Sequence, residues 1–197
     1  MSWRERLWAL TLGRVERRHG TWRGAVRALL ALAALRGGWL EAFRLRRPRQ
    51  VRRVVFVCLG NICRSAYAHQ VALQLGLPSA SIGLATCTGT RSPDAARRAA
   101  RRCGADLDEH RATDFHDFDI HPGDLLLAME IRHAHELQRR LIARRDVQIA
   151  LLGLWCDPPM PHLHDPYTLS DAYFDQCYAR LRQAVHGLRH TLSRSPS

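Results

Sequence analysis

The sequence predicts an α/β fold: a four-stranded parallel sheet with helices on both faces, preceded by a helical N-terminal extension. Three observations lead there. The runs VVFV, DLLLAM and VQIALL are continuously apolar rather than alternating, as strands buried on both faces require. Each is followed by a longer segment of helical periodicity, and strands alternating with helices imply a parallel sheet. Finally, the character of the chain changes near residue 50, which separates an extension (1–50) from a domain (51–194) and a short disordered tail (195–197).

Charge marks the same boundary. The 197 residues carry 30 basic and 18 acidic side chains, net +12, and every basic residue is arginine. Residues 1–50 hold 12 Arg and 3 Glu, net +9, which leaves +3 for the rest. An excess this uneven is a weak argument for nucleic acid, which is disfavoured as a partner. Within the extension, residues 1–47 read as helical. Trp22, Val26, Leu29, Leu30 and Ala33 form one apolar face, with Arg23, Arg27 and Arg36 elsewhere. Trp3, Trp8, Trp22 and Trp39 stand among the arginines. The longest apolar run, Ala28 to Leu35, is far short of the ~20 residues that span a bilayer. Two readings follow: helices on an anionic membrane surface, or helices packed on the domain or on a second copy of the chain. RLRRPRQVRR, residues 44–53, reads as a Pro-broken basic linker.

The elements follow in order. Val54–Val57 is the first strand, Ser65–Leu75 a helix, and a short strand lies near Ile82. Pro93–Cys103 is a helix with Asp94 in its first turn and Gly104 past its end. Asp124–Met129 is a strand, Glu130–Arg144 a helix, and Val147–Leu152 the fourth strand. Ser170–Leu192 closes the chain with Phe174, Tyr178, Leu181, Val185 and Leu188 at helical spacing. Ligands of such sheets bind beyond the carboxyl ends of the strands, where Cys58 falls.

Cys58 to Arg64 fits C-x5-R, a pattern of little weight in so arginine-rich a chain. Its context carries more. Gly60 and Asn61 can take unusual backbone angles, so the loop Leu59, Gly60, Asn61, Ile62, Cys63, Arg64, Ser65 can turn its amides inward. The N-terminus of the next helix adds to them, making a cradle for a phosphate-sized anion. Arg64 supplies a planar fork for two oxygens, and Cys58 lies in the same positive field, placed for nucleophilic attack on phosphorus. The leaving oxygen needs a proton; Asp165 in HDPY and Asp157, each before a proline, are the candidates. The six cysteines are irregularly spaced, as expected of reduced thiols in the cytosol. Cys156, His162 and His164 lack the second ligand pair of a zinc site, so no metal and no cofactor is expected.

VCLGNICRS with its flanking strand and helix, and DPY before the last helix, together resemble the low-molecular-weight protein tyrosine phosphatases, closest to the bacterial branch linked to capsule and exopolysaccharide synthesis. Ser81–Leu84, DEHRA, DLLLAM and Leu152-Gly153 match further blocks in order, over Val54 to Leu192. The resemblance implies that Cys58 forms a phosphocysteine intermediate and that Arg64 and the loop amides hold the phosphoryl oxygens. It implies that Asn61 braces the loop, Ser65 assists the thiolate, Asp165 is the general acid and Tyr167 lines the pocket mouth. Cys63 would be a redox partner, able to form a reversible disulfide with Cys58. The implied substrate is a phosphotyrosine protein, such as a membrane-bound tyrosine kinase of polysaccharide export. The implied location is the cytoplasm, peripheral at the inner face of the membrane. Ala66, His69 and Ile82 depart from the family pattern, and the loop 85–93 lacks a wall aromatic. The alternatives are an arsenate reductase on the same fold, which needs a cysteine relay, and a non-catalytic phospho-binding module.

Overall fold

The computed structural model describes Trp3, Gly13 and residues 15–194. The readings made for the rest of residues 1–14, Trp8 included, and for the tail 195–197 lie outside the described residues.

Strands β1 (Arg53–Cys58), β2 (Ser79–Gly83), β3 (Asp124–Ala128) and β4 (Gln148–Leu151) form one parallel sheet in the order β2-β1-β3-β4. The two most apolar strands are central, since only they are shielded on both edges and both faces. Register places Cys58 beside Gly83 and Val57 beside Ala128, so the ends of β1, β2 and β3 meet at one edge. Alternation along β1 divides the core. Val54 and Phe56 face one layer, built on Tyr67, Ala99, Tyr178 and Leu181, while Val55 and Val57 face another, built on Ala134 and Leu137.

After α1 (Trp22–Arg36) in the extension, the helices are α2 (Arg64–Gln74), α3 (Asp94–Arg102), α4 (Ile131–Arg140) and α5 (Asp171–Ser193). Helices α2, α3 and α5 cover the first face, and α4 the second. Tyr67 of α2 stacks on Tyr178 of α5 at 3.9 Å between ring centres, fixing α2 behind the strand edge. Helix α4 stops at Arg140, four residues short of the expected end. Beyond it Arg144 turns back to pair with Asp146 and to donate to Ile120 O at 3.1 Å. Helix α5 starts as expected, with Ser170 as N-cap accepting from Tyr173 N.

The extension is not helical throughout. Residues 15–19 are helical, the chain turns at Gly20 with φ +76°, and α1 restarts behind Thr21, whose hydroxyl accepts from Gly24 N. Gly37 and Gly38 end it, and short 3-10 turns follow at Glu41–Phe43 and Pro48–Gln50. Nor is 44–53 a loose linker: Arg47 N donates to Gln148 Oε1 and Gln148 Nε2 returns a bond to Arg47 O, both at 2.8 Å. Leu40 and Phe43 enter the second core layer beside Val55 and Leu137, and the Phe43 ring meets His135 edge-on at 5.0 Å. The packing reading of the extension therefore holds for its described part.

Phe43 is 1% exposed, so Phe43→Ala should cost about 3 kcal/mol or more in urea unfolding, in the range of other buried Phe truncations. An unfolding midpoint equal to wild type would show that the extension is not part of the core.

Candidate active site

Strand β1 delivers Cys58 to the sheet edge, and the chain needs six more residues to enter α2 at Arg64. The turn is tight because Asn61 adopts φ +51°, a left-handed conformation that asparagine tolerates. Asn61 is fully buried and fully occupied. Its Nδ2 donates to Ser65 Oγ (2.8 Å), its Oδ1 accepts from Thr113 N (2.9 Å), and its carbonyl meets His110 Nε2 (2.7 Å). Its backbone N–H donates to Cys58 Sγ at 3.2 Å, and Ser65 Oγ lies 3.0 Å from the same sulfur. Gly83 lets β2 press against the loop: a Cβ there would sit 2.9 Å from Leu59 O. Leu84 N and Ala85 N then tie the carbonyls of Cys58 and Leu59.

Arg64 is 1% exposed, and burying a guanidinium demands partners. Nη1 donates to Glu130 Oε1 at 2.6 Å and to Leu163 O at 2.9 Å. Nη2 lies 2.8 Å from Asp165 Oδ2 but off the hydrogen-bond axis, and Nε has no hydrogen-bond partner among the described residues. The guanidinium is thus clamped on one side, with N–H groups to spare next to a thiol and a helix N-terminus. Burial alone would lower the pKa of Arg64, but Asp165, Cys58 and Glu130 outweigh it and hold the charge on. Burial alone would likewise raise Glu130; Arg64 and Arg132 hold it well below the ordinary carboxylate range.

The loop carrying Asp165 is pinned on both sides. Leu163 N donates to Met129 O (3.0 Å), Tyr173 OH to His164 O (3.3 Å), and His164 Nε2 meets Thr21 Oγ1 of the extension at 3.2 Å. Asp165 keeps about a third of its side chain exposed, and Tyr167 is half exposed beside it.

The structure thus gathers Cys58, Arg64, Asn61, Ser65 and Asp165, with Leu59 and Tyr167 exposed nearby and Gly60 and Ile62 half-buried in the loop. Cys63 is buried and, like Cys58, free; burial pushes its thiol well above the ordinary range. Of the two candidate acids, Asp165 reaches Arg64, whereas Asp157 lines a cavity of about 640 Å³ with Arg17, Arg18 and Arg180. Among the described residues no His/Cys/Asp/Glu group is placed to hold a metal. Cys156 points to Arg180 O, and His164 is taken by Thr21. Of the departures, Ala66 is wholly buried at the start of α2, Ile82 fills the second core layer, and His69 meets Ser79 O at 3.1 Å.

Sequence reasoning missed Glu130, His133 and Thr113, weighed His162 only as a zinc ligand and met His110 only within DEHRA. Glu130 carried a usable signal: a carboxylate at the carboxyl end of a wholly apolar strand, the same place in β3 that Cys58 has in β1. His133 carried none.

A thiol and a guanidinium sharing one strand-to-helix turn of a parallel sheet make a site for phosphate esters. Comparison with known proteins narrows that class. Residues 53–197 match the low molecular weight phosphotyrosine protein phosphatase family, and the chain belongs to it, as a hydrolase of phosphoric monoesters. A probable low molecular weight protein-tyrosine-phosphatase, AmsI of Erwinia amylovora, is 30% identical over 73% of this chain and 99% of its own length. Wzb of Salmonella typhi is 29% identical over 68% and 89%. Among solved structures, the AmsI tyrosine phosphatase superposes with a TM-score of 0.61 at 29% identity, over 73% of this chain and 95% of its own. The YwlE arginine phosphatase of Geobacillus stearothermophilus, at 22% identity and TM-score 0.63 over 72% and 93%, shares the fold.

The buried carboxylate also has a pH signature. His133 and His162 flank Glu130 at 3.8 Å. Burial, with Arg64 and the neighbouring charged groups, lowers His133 from 6.5 to about 3 and His162 to about 4. The unfolded chain takes up these protons below about pH 6.5 and the folded chain only near the lowered values, so stability falls on acidification through that window. His133→Asn should remove about 1.4 kcal/mol per pH unit from the slope of unfolding free energy between about pH 6 and about pH 4. Equal slopes in the two proteins would show that His133 is protonated in the folded state.

Proposed function

We propose that the chain is a protein-tyrosine-phosphate phosphohydrolase acting through a phosphocysteine intermediate. The observation that carries this reading is Cys58 Sγ held by Ser65 Oγ and the Asn61 amide, in a loop whose arginine is paired to Asp165. Cys58 attacks phosphorus as the thiolate, the Ser65 hydroxyl donating to sulfur while it accepts from Asn61 Nδ2. The S–P bond forms as the P–O bond to the tyrosyl oxygen breaks, and Asp165 gives that oxygen its proton. Arg64 and the amides of Leu59 to Ser65 hold the three non-bridging oxygens, whose charge spreads in the transition state. Water then attacks the phosphocysteine, Asp165 takes its proton, the P–S bond breaks, and inorganic phosphate leaves with the thiolate restored.

Tyr167, half exposed two residues after Asp165, would line the pocket mouth and meet the substrate ring. The names of AmsI and Wzb as tyrosine phosphatases support phosphotyrosine as the substrate. A tyrosine kinase of polysaccharide export, at the inner face of the membrane, fits that company and is proposed as the partner by analogy. Arsenate reduction is less well supported: Cys156 and Cys177 are buried, and burial pushes their thiols up to about 11 and about 12.

Hydrolysis of aryl phosphates is the test. Cys58→Ser should reduce kcat by about a thousandfold or more, and vanadate should inhibit the wild type. Asp165→Asn should slow an ester with a poor leaving group about a hundredfold while sparing one whose phenol leaves unaided. Retained activity in Cys58→Ser would move the nucleophile elsewhere, and equal losses on both esters would remove Asp165 as the acid.

A further inference from the structure

Helix α1 is seated the opposite way from what its sequence invites. Its inner face is the small one, Gly24, Ala28 and Ala31. A Cβ at Gly24 would stand 2.8 Å from His164 Cδ2, so only a small residue allows so close an approach. The large apolar stripe therefore points out, with exposures running from 44% at Val26 through Trp22, Leu30 and Leu29 to 81% at Trp39 just past the helix end. Phe43 and Leu40, with Ala34 and Leu35, supply the apolar contact with the second core layer, and among the described residues none of the stripe joins it.

The charges carried by α1 itself are of one sign. Arg23, Arg27 and Arg36 border the stripe, all exposed; Arg23 lies over the Trp22 ring at 5.5 Å, and α1 contains no acidic residue. A second copy laid on α1 would bring the arginines of one helix against those of the other, and the next carboxylate in sequence, Glu41, is already paired with Arg44 at 2.8 Å. A polyanion in water would satisfy the arginines and leave five large apolar side chains solvated. One surface supplies an apolar layer and anions at adjacent depths, the headgroup boundary of an anionic bilayer. Trp22 and Trp39 near the ends of the stripe suit that boundary, where an apolar ring and a polar N–H are both accommodated. Among the described residues no helix is long and apolar enough to cross a membrane, so α1 would lie in the surface plane.

We propose that the outer face of α1, formed by Trp22, Val26, Leu29, Leu30 and Trp39 and bordered by Arg23, Arg27 and Arg36, is a docking surface for anionic lipid bilayers. Its inner face meets His164, the neighbour of Asp165, so a docked helix holds the catalytic edge about one helix diameter, ~10 Å, from the lipid. Phosphate esters displayed at a membrane would be met there. Docking does not depend on the catalytic assignment, and the two are read separately.

The full chain is floated with vesicles of phosphatidylcholine alone and of phosphatidylcholine with phosphatidylserine. Wild type should favour the anionic vesicles about tenfold or more, and added salt should reduce the preference. The double variant Leu29→Asp, Leu30→Asp alters only exposed positions. It should lose that binding while hydrolysing a soluble aryl phosphate at the wild-type rate. Arg23→Gln with Arg36→Gln keeps the stripe and should lose the preference for phosphatidylserine, giving a second reading if the aspartates disturb folding. Flotation equal in wild type and both variants, or equal on neutral and anionic vesicles, would overturn the proposal. A wild-type dimer in size-exclusion chromatography that Leu29→Asp, Leu30→Asp turns into monomer would also overturn it, since a second copy then covers the stripe.

Discussion

The site depends on one buried ion pair. Arg64 and Glu130 are each 1% exposed and meet at 2.6 Å, Arg64 opening α2 just after β1 and Glu130 standing just after β3. Removing one partner of such a pair leaves an uncompensated charge in the interior, a loss of about 3–5 kcal/mol. Glu130 is itself tied on its other side to Arg132 at 2.8 Å. Leu163 O, from the loop that carries Asp165, takes the second bond from Arg64 Nη1. Three segments distant in sequence thus converge on one guanidinium, and its plane is fixed by groups that leave Nε without a hydrogen-bond partner among the described residues. A guanidinium so fixed can meet a trigonal phosphoryl group without reorganising, which is how preorganised charge lowers a barrier.

The thiol is held by a separate network. Asn61 accepts strained φ because its side chain and carbonyl are all bonded, to Ser65, Thr113 and His110, and that bonding aims its amide at Cys58. The extension joins the domain through Leu40 and Phe43 in the core, through Arg47 on Gln148 and through Thr21 on His164. The extension, for which packing on the domain was one of two sequence readings, in this way touches the loop that carries Asp165.

How much was legible differs by region, for physical reasons. Strands β1, β3 and β4 stood out because both faces are buried, and Cys58 and Arg64 because a short loop between strand and helix has few possible shapes. From the residues alone Asp165 was one of two Asp-Pro carboxylates; the family resemblance chose it, and the fold sets it 2.8 Å from Arg64. Helix α4 read too long because residues 141–144 continue a helical pattern that the bond from Arg144 to Ile120 O interrupts, a contact no local pattern encodes. Residues 1–47 read as helical throughout because Gly20, Gly37 and Gly38 were outweighed by good helix formers around them. The orientation of α1 was hidden for the same reason: large apolar residues normally mark the buried face, and here close packing on His164 selected the small one.

If the fixed guanidinium is what the fold provides, Glu130→Gln is its most direct test. Glutamine keeps an acceptor of the same shape and removes the charge. Inhibition by vanadate, which mimics the trigonal transition state, should weaken about tenfold or more relative to inhibition by inorganic phosphate, with a matching fall in aryl phosphate turnover. Vanadate and phosphate affinities that change by the same factor, with turnover unaltered, would contradict the account.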